Sequence, residues 1–235
     1  MSRTFEDTRR WAQLGTTLFV RAADLGDTGL DAPSSLPGWT RKHLVAHVAA
    51  NADALGNLVH WAATGERTPM YASPEERLAG IERGAGMPAA ELTAWLRRSA
   101  EELAASTGSL GDEQWQFPVV TAQGRTVPAT ELPWMRSREV CVHAVDLGTG
   151  LTFADLPTGF LAALCDDVVA KRAKDRGPAV VLRVTGTGAL WTLPGEGEPT
   201  VLVGPLHEIA ACLTGRHHVL TTSDGGPAPA LAPWL

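Results

Sequence analysis

The sequence predicts an α+β protein in which a four-helix bundle over residues 1–152 is followed by a small α+β domain over residues 153–235. Long apolar patterns with helical spacing fill the first part of the chain. Gly148 and Gly150 end the last of these patterns, and strand-like runs of apolar and β-branched residues follow in the second part. A length of 235 residues fits one large domain or two smaller ones, and 44% hydrophobic residues is sufficient for a core.

Four long helices are predicted in the first domain, because apolar residues recur there every three or four positions. Thr40 provides an N-cap for the second helix, and Gly65 lies just beyond its end as a C-cap glycine. Pro88 stands in the first turn of the third helix, and a shorter helical segment ends before it at Gly84. The long helices are predicted over residues 5–25, 40–63, 88–105 and 133–147.

Strands are predicted mainly in the second domain. Before it, residues 115–127 have the pattern of an irregular segment or a hairpin, with a turn at Gln123 and Gly124. The second domain begins with a helix and continues with short strands around a second, shorter helix. Its predicted elements are a helix over 157–174, strands over 179–185, 189–193 and 200–203, a helix over 205–213 and a last strand over 219–222.

Composition and charge argue against several classes of partner. The net charge is −6, whereas nucleic-acid binding favours a basic surface. No apolar run approaches the roughly 20 residues that span a bilayer, and the N-terminal acidic residues are unlike a signal peptide. We therefore expect a cytoplasmic protein, a monomer or a small homo-oligomer, that binds neither nucleic acid nor a membrane.

The three cysteines, Cys141, Cys165 and Cys212, do not predict a disulfide framework. Their number is odd, and none stands in a C-x-x-C pair that would indicate a thiolate zinc site. Cys141 lies two residues after Glu139, which turns it away from the Glu139 side of the helix. A small buried residue is therefore the expected role for Cys141.

One candidate metal site combines His47 with Glu139 and His143. Glu139 and His143 are four residues apart on one predicted helix, so their side chains point the same way. Such a pair alone is more often a surface ion pair, but here valines surround it, and a buried carboxylate needs a partner. With His47 from a distant helix, the set can bind a divalent cation and leave positions open. Zinc suits two imidazoles and a carboxylate best, although Fe(II), Ni or Mn fit the ligand count.

Other residues near this set are alternatives or supports. His43 is a rival ligand four residues before His47, ranked below it because it lies in the first turn, nearer to solvent. Asp146 follows His143 by three residues and is predicted to accept a hydrogen bond from it or to act as a site acid. The remaining histidines have no ligand-like spacing to the set and are expected to be exposed or structural: His60, His207, His217 and His218.

Three segments give the chain a family resemblance. Residues 38–47 (GWTRKHLVAH), 51–55 (NADAL) and 138–147 (REVCVHAVDL) resemble the mycothiol-dependent maleylpyruvate isomerases. These enzymes belong to the DinB-like superfamily of metal-binding four-helix bundles. The resemblance covers nearly the whole chain, including residues 204–206 and 213–216 of the second domain.

The resemblance implies specific roles for several residues. It implies a zinc ion at His47, Glu139 and His143, with water or a thiol completing the shell, and an active site at the junction of the two domains. Asp146 is implied as an acid near the metal, and Arg77 and Arg216 as family arginines. Because arginine is the natural partner of carboxylates, the hypothesis is that these two arginines hold a dicarboxylate substrate.

The activity that the resemblance implies is the cis–trans isomerisation of maleylpyruvate to fumarylpyruvate, with mycothiol as the low-molecular-weight thiol. The thiolate adds to the double bond, the resulting single bond rotates, and elimination of the thiol leaves the trans isomer. Three alternatives remain open. They are a mycothiol S-transferase acting on another electrophile, a metal-dependent hydrolase on the same bundle, and a non-catalytic module that binds a metal or a thiol.

Overall fold

The computed structural model describes residues 3–174, 177–222, 225–231 and 234. The chain forms two compact units, one of Thr4–Leu151 and one of Arg3 with the described residues from Thr152 onward. The first unit is helical with one small hairpin, and the second combines helices with a three-stranded sheet. This architecture confirms the predicted α+β class.

The four predicted long helices are present in the first unit, with ends that shift by up to three residues. Two single-turn helices were missed, because one turn has no apolar periodicity to detect. The predicted hairpin is formed by β1 (Pro118–Val120) and β2 (Thr126–Pro128), with Gly124 at a φ of 75° in its turn. The helices are α1 (Phe5–Ala22), α2 (Asp27–Asp31), α3 (Arg41–Thr64), α4 (Pro74–Ala85), α5 (Ala89–Gly108), α6 (Asp112–Trp115) and α7 (Leu132–Asp146).

Helices α3 and α7 are fixed to each other at their ends. The Arg41 guanidinium donates to the carbonyl oxygens of Leu147 at 2.6 Å and Gly148 at 2.9 Å, just past the end of α7. These carbonyls lack partners within the helix, and a cation at a helix C-terminus also interacts favourably with the helix dipole. The backbone N–H of Ser35 donates to the Asp146 carbonyl at 2.8 Å. The start of α3 is thereby held beside the end of α7.

Helix α1 packs closely on α7 because one of its residues is glycine. A Cβ atom at Gly15 would lie 2.5 Å from Cys141 Sγ and 2.6 Å from Val140 Cγ2, closer than atoms can pack. Gly56, in the interior of α3, has nothing within 4 Å of the same position. The two helical glycines therefore differ in the space that a methyl group would find.

We expect opposite effects from the same substitution at these two glycines. Gly15→Ala should destabilise the protein by about 1–3 kcal/mol through overpacking. Gly56→Ala should stabilise it by about 0.5–1 kcal/mol, because alanine loses less backbone entropy in a helix. Urea unfolding of both variants measures the difference, and equal shifts in the two variants would contradict the packing argument.

The second unit is built on a sheet of β3 (Pro178–Val184), β4 (Leu190–Leu193) and β5 (Glu196–Gly204), in the order β4-β3-β5. β3 pairs with β4 as an antiparallel hairpin and with β5 in parallel. The predicted strand over 219–222 is wrong, since Thr221 and Thr222 make only isolated bridges. The α-helices of this unit are α8 (Thr158–Arg172) and α9 (Leu206–Leu213).

Among the residues that the structure describes, no helix combines the length and the apolar character needed to cross a bilayer.

Candidate metal centre

Helices α3 and α7 bring His47, Glu139 and His143 together. Nε2 of His47 lies 2.9 Å from Glu139 Oε2, and Nε2 of His143 lies 3.3 Å from the same oxygen. The three potential ligand atoms are all within 4.8 Å of one another. Glu139 and His143 share one face of α7 because they are one turn apart, as their spacing predicts.

The geometry of these three side chains fits a divalent cation. Zinc binds imidazole nitrogens and carboxylate oxygens at about 2.0–2.2 Å, which places tetrahedral ligand atoms roughly 3.4 Å apart. The separations from Glu139 Oε2 to Nε2 of His47 and of His143, 2.9 and 3.3 Å, are close to this value, and the three ligand atoms all lie within 4.8 Å of one another. Three protein ligands leave a fourth position for a further ligand, as in catalytic sites. The donor set also suits other divalent transition metals, so it supports a metal site but does not identify the ion.

Burial and mutual hydrogen bonding set the charges of the three side chains. Burial raises the pKa of Glu139, but its contacts with His143 and His47 outweigh burial and hold the pKa well below the usual range. Burial lowers the pKa of His47, and Glu139 opposes this only in part. Glu139 is therefore ionised and His47 neutral at neutral pH, which are the states that bind a metal.

Asp146 lies where the sequence predicts a support for His143. It is fully buried, and its Oδ2 is 2.9 Å from Nδ1 of His143. A carboxylate on the outer nitrogen fixes the imidazole ring so that its other nitrogen, Nε2, is directed at Glu139. Burial lowers the pKa of His143, but the hydrogen bonds to Asp146 and Glu139 raise it to about 9.

Arg77 also reaches the centre, from the first turn of α4. Its Nη2 lies 3.4 Å from Nδ1 of His47, and its guanidinium lies 5.9 Å from the centre of the Tyr71 ring. Tyr71 is the single tyrosine of the chain and was missed as a site residue. It precedes α4 in a polar stretch without periodicity, so the sequence provides little signal for it beyond its rarity.

His43 and Trp39 lie beside the centre without joining the ligand set. The Thr40 backbone N–H donates to Nδ1 of His43 at 3.2 Å, so this histidine caps the start of α3. The Trp39 ring stacks on His43 and meets the His47 ring edge-on at 5.8 Å. Trp39 therefore covers one side of His47, a role that no pattern in the sequence predicted.

Arg216 is placed in the second unit, just beyond α9. Its guanidinium donates to the carbonyl oxygen of Thr214 at 2.6 Å. His207, His217 and His218 also belong to this unit, and His60 is exposed on α3 in the first. The role of Arg216 toward a substrate stays a prediction.

Comparison with known proteins agrees with this geometry. A sequence profile described as the mycothiol maleylpyruvate isomerase N-terminal domain matches residues 11–148, which include all three candidate ligands. The chain belongs to the mycothiol maleylpyruvate isomerase family. A search of curated proteins found no significant match.

Two solved structures support the membership in this family. One is described as the mycothiol-dependent maleylpyruvate isomerase, with 38% identity and a TM-score of 0.92. The other is a histidine-to-alanine mutant of that enzyme, with 37% identity and the same TM-score. In both comparisons 97% of each chain is covered.

In this family member, a buried arginine joins the two helices of the centre. Nη1 of Arg136, on α7, donates to the Val48 carbonyl at 2.8 Å and to Asn51 Oδ1 at 2.9 Å, both on α3. Val48 directly follows His47, so this contact fixes the position of His47 along the axis of α7. Burial lowers the pKa of Arg136 to about 10, while the charges of Glu139 and Asp53 favour its protonated form. No pattern in the sequence predicted this role for Arg136.

The cysteines are free and buried. Burial raises the pKa of Cys141 to about 12 and that of Cys212 to about 11, and it also raises the pKa of Cys165. A thiol reacts as its thiolate, so these side chains are poor nucleophiles at neutral pH. A thiol reaction at this centre therefore needs a thiol from outside the chain.

A pocket of about 740 Å³ opens beside the centre, between α3, α4 and α5. Arg77 and Tyr71 form its wall on the side of the centre. Ala50, one helical turn after His47 on α3, also lines it.

We expect zinc affinity to increase with pH in the metal-free protein. His143 has a pKa of about 9, so it carries a proton at neutral pH that zinc must displace. The apparent affinity should rise about tenfold per pH unit up to about pH 9 and level off above it. Titration against a competing chelator measures this curve. In Asp146→Asn the curve should level off at a lower pH, because the pKa of His143 falls, and a flat curve in the unmodified protein would contradict the prediction.

Proposed function

We propose that this protein isomerises maleylpyruvate to fumarylpyruvate with mycothiol as its thiol cofactor. We also propose that His47, Glu139 and His143 bind a divalent cation, for which zinc is the first candidate. The observation that carries the proposal is the convergence of these ligand atoms within 4.8 Å in a member of this family. Two solved relatives are described as mycothiol-dependent maleylpyruvate isomerases. The substrate is a small dicarboxylate.

The cation and the chain divide the chemistry between them. When bound, the cation supplies a positive charge that lowers the pKa of a nearby thiol, so that thiolate is present near neutral pH. Glu139 stays ionised, and Asp146 holds the His143 ring in place. The chain's own cysteines stay protonated and take no part.

Arg77 is the residue that we assign to the substrate. Its guanidinium lies at the centre, and a planar guanidinium binds a carboxylate with two parallel hydrogen bonds. As the thiol sulfur adds to one alkene carbon, the alkene electron pair moves through the conjugated carbonyl to its oxygen. The positive charge of Arg77 stabilises the enolate formed in this way.

Rotation and elimination complete the reaction without consuming the thiol. The former double bond is single in the enolate and rotates, the electron pair returns, and the C–S bond breaks to leave the trans double bond. By holding one carboxylate, Arg77 keeps that end of the substrate fixed while the other end turns. Arg216 is the proposed second carboxylate ligand, on the basis of the resemblance.

The test is turnover of maleylpyruvate by the zinc-loaded protein with and without mycothiol. We expect thiol-dependent formation of fumarylpyruvate, followed by NMR, with the mycothiol concentration unchanged, and loss of this activity in His47→Ala. Accumulation of a thiol adduct would instead indicate an S-transferase, and loss of substrate without thiol would indicate a hydrolase. Stoichiometric zinc binding without any turnover would overturn the proposal in favour of a binding module.

A further inference from the structure

The pocket between α3, α4 and α5 is large for the substrate alone. Its volume of about 740 Å³ lies within the range for drug-sized ligands. Maleylpyruvate has fewer heavy atoms than such ligands, whereas mycothiol is an acetylated cysteine joined to a glucosamine–inositol unit.

We propose that this pocket binds the uncharged, polyhydroxylated part of the thiol cofactor, so that the cysteine part extends past Arg77 to the metal centre. The inference rests on the proposed function, because it takes mycothiol as the thiol.

The charges of the lining select the class of ligand. Both acidic and basic side chains line the pocket, with Asp53 and Glu91 among the acids and Arg83 and Arg98 among the bases. A dicarboxylate would meet like charges at the acids, and a cation would meet them at the arginines. A hydroxyl group both donates and accepts hydrogen bonds, so a polyol can satisfy both kinds of side chain.

Asp53 has acceptor capacity left for such hydroxyls. Trp95 donates its indole N–H to Asp53 Oδ2 at 2.9 Å, and among the described residues no other side chain donates to this carboxylate. A carboxylate has about four acceptor sites. The oxygens of Asp53 can therefore accept further hydrogen bonds from a ligand.

Trp95 provides a fixed apolar wall beside this acid. Its position is set by the bond to Asp53 and by close packing on α4, where a Cβ at Gly84 would lie 2.8 Å from Trp95 Cζ3. A flat indole surface next to a hydrogen-bond acceptor suits a sugar ring, which has apolar C–H faces and a polar rim. Asn57 also lines the pocket, and its amide donates to the Pro69 carbonyl at 3.2 Å.

The pocket also has the right position for a ligand that ends at the metal. Ala50, in its lining, is three residues after His47 on the same helix, which is a rise of about 4.5 Å. Arg77 belongs to both places, since it lines the pocket and its Nη2 lies 3.4 Å from Nδ1 of His47. A ligand in the pocket can therefore reach the centre alongside this arginine.

The experiment is calorimetric binding of mycothiol and of N-acetylcysteine amide, which keeps the uncharged amide but lacks the sugar part, to the zinc-loaded protein. The ratio of the two dissociation constants measures what the sugar part contributes. In Asp53→Ala and in Arg98→Gln we expect this ratio to fall about tenfold, since each removes a hydrogen-bonding charged group. Arg98 is exposed, so Arg98→Gln should leave the stability of the fold unchanged.

Arg97→Gln is the matched control. Arg97 is the next residue on α5, pairs with Asp24 at 2.8 Å and does not line the pocket, so the ratio should stay unchanged. Two results would overturn the proposal even if isomerisation is observed. One is equal affinity of the unmodified protein for the two thiols, and the other is an unchanged ratio in both pocket variants. A rise in KM for maleylpyruvate with mycothiol binding unchanged would also overturn it, because the pocket would then hold the substrate. The predicted ratios without turnover would support the pocket and overturn the isomerase function.

Discussion

Replacement of Glu139 by glutamine is expected to remove the metal and to lower turnover at least a hundredfold. Glu139 Oε2 is the atom that both histidines approach, at 2.9 and 3.3 Å, and a neutral amide is a poor ligand for a divalent cation. Removing a group that only supports a metal ligand typically costs about 10–100-fold, so the loss of a ligand should cost at least about 100-fold. Metal content after dialysis and kcat/KM for maleylpyruvate are the measurements.

The control for this variant is Glu113→Gln, which removes an exposed carboxylate on α6. It should bind one metal ion per chain and turn over at the rate of the unmodified protein. If Glu139→Gln kept its metal and its activity, the ligand assignment would be wrong. Loss of activity with the metal retained would instead make Glu139 a reacting group.

Replacement of Arg136 by methionine is expected to destabilise the metal-free protein by about 3 kcal/mol. The change removes the hydrogen bonds to the Val48 carbonyl and to Asn51 Oδ1 and leaves both acceptors buried. It also removes a buried positive charge whose field favours the ionised form of Glu139. Urea unfolding of the metal-free protein measures the effect without a contribution from bound zinc.

The same variant should also bind zinc more weakly, since Arg136 fixes the α3 backbone next to His47 at one position along the axis of α7. The matched control is Arg97→Met, which removes an exposed ion pair to Asp24 and should cost less than about 1 kcal/mol. Equal unfolding midpoints for the two variants would show that the buried hydrogen bonds of Arg136 contribute no more than a surface pair.

Much of the helical fold could be predicted because helices leave a local signal. The capping residues Thr40 and Gly65 and the apolar periodicity placed α3 within one residue at each end. The single-turn helices α2 and α6 have no such period, and they form where the surrounding packing favours them. The segment over 219–222 has strand-like residues, but pairing depends on neighbours in space that a local pattern does not contain.

The candidate site was predictable to the extent that it depends on spacing along a helix. Glu139, His143 and Asp146 share a face of α7 through their separations of four and three residues. His47 was proposed as the third ligand because it lies among apolar residues on another predicted helix, and the resemblance added Arg77. Tyr71 and Arg136 were missed because each acts through contacts with other elements. No period in the sequence links them to the ligands.

The burial of the three cysteines predicts how the protein responds to oxidants. Accessible thiolates attack peroxides and disulfides, whereas here all three sulfurs lie inside the protein, where burial raises their thiol pKa values. We therefore expect the chain to resist sulfenic acid formation and mixed disulfides with the very cofactor that it uses. Under oxidative stress its activity should follow the redox state of the mycothiol pool and return as soon as that pool is reduced again, without reduction of the chain's own cysteines.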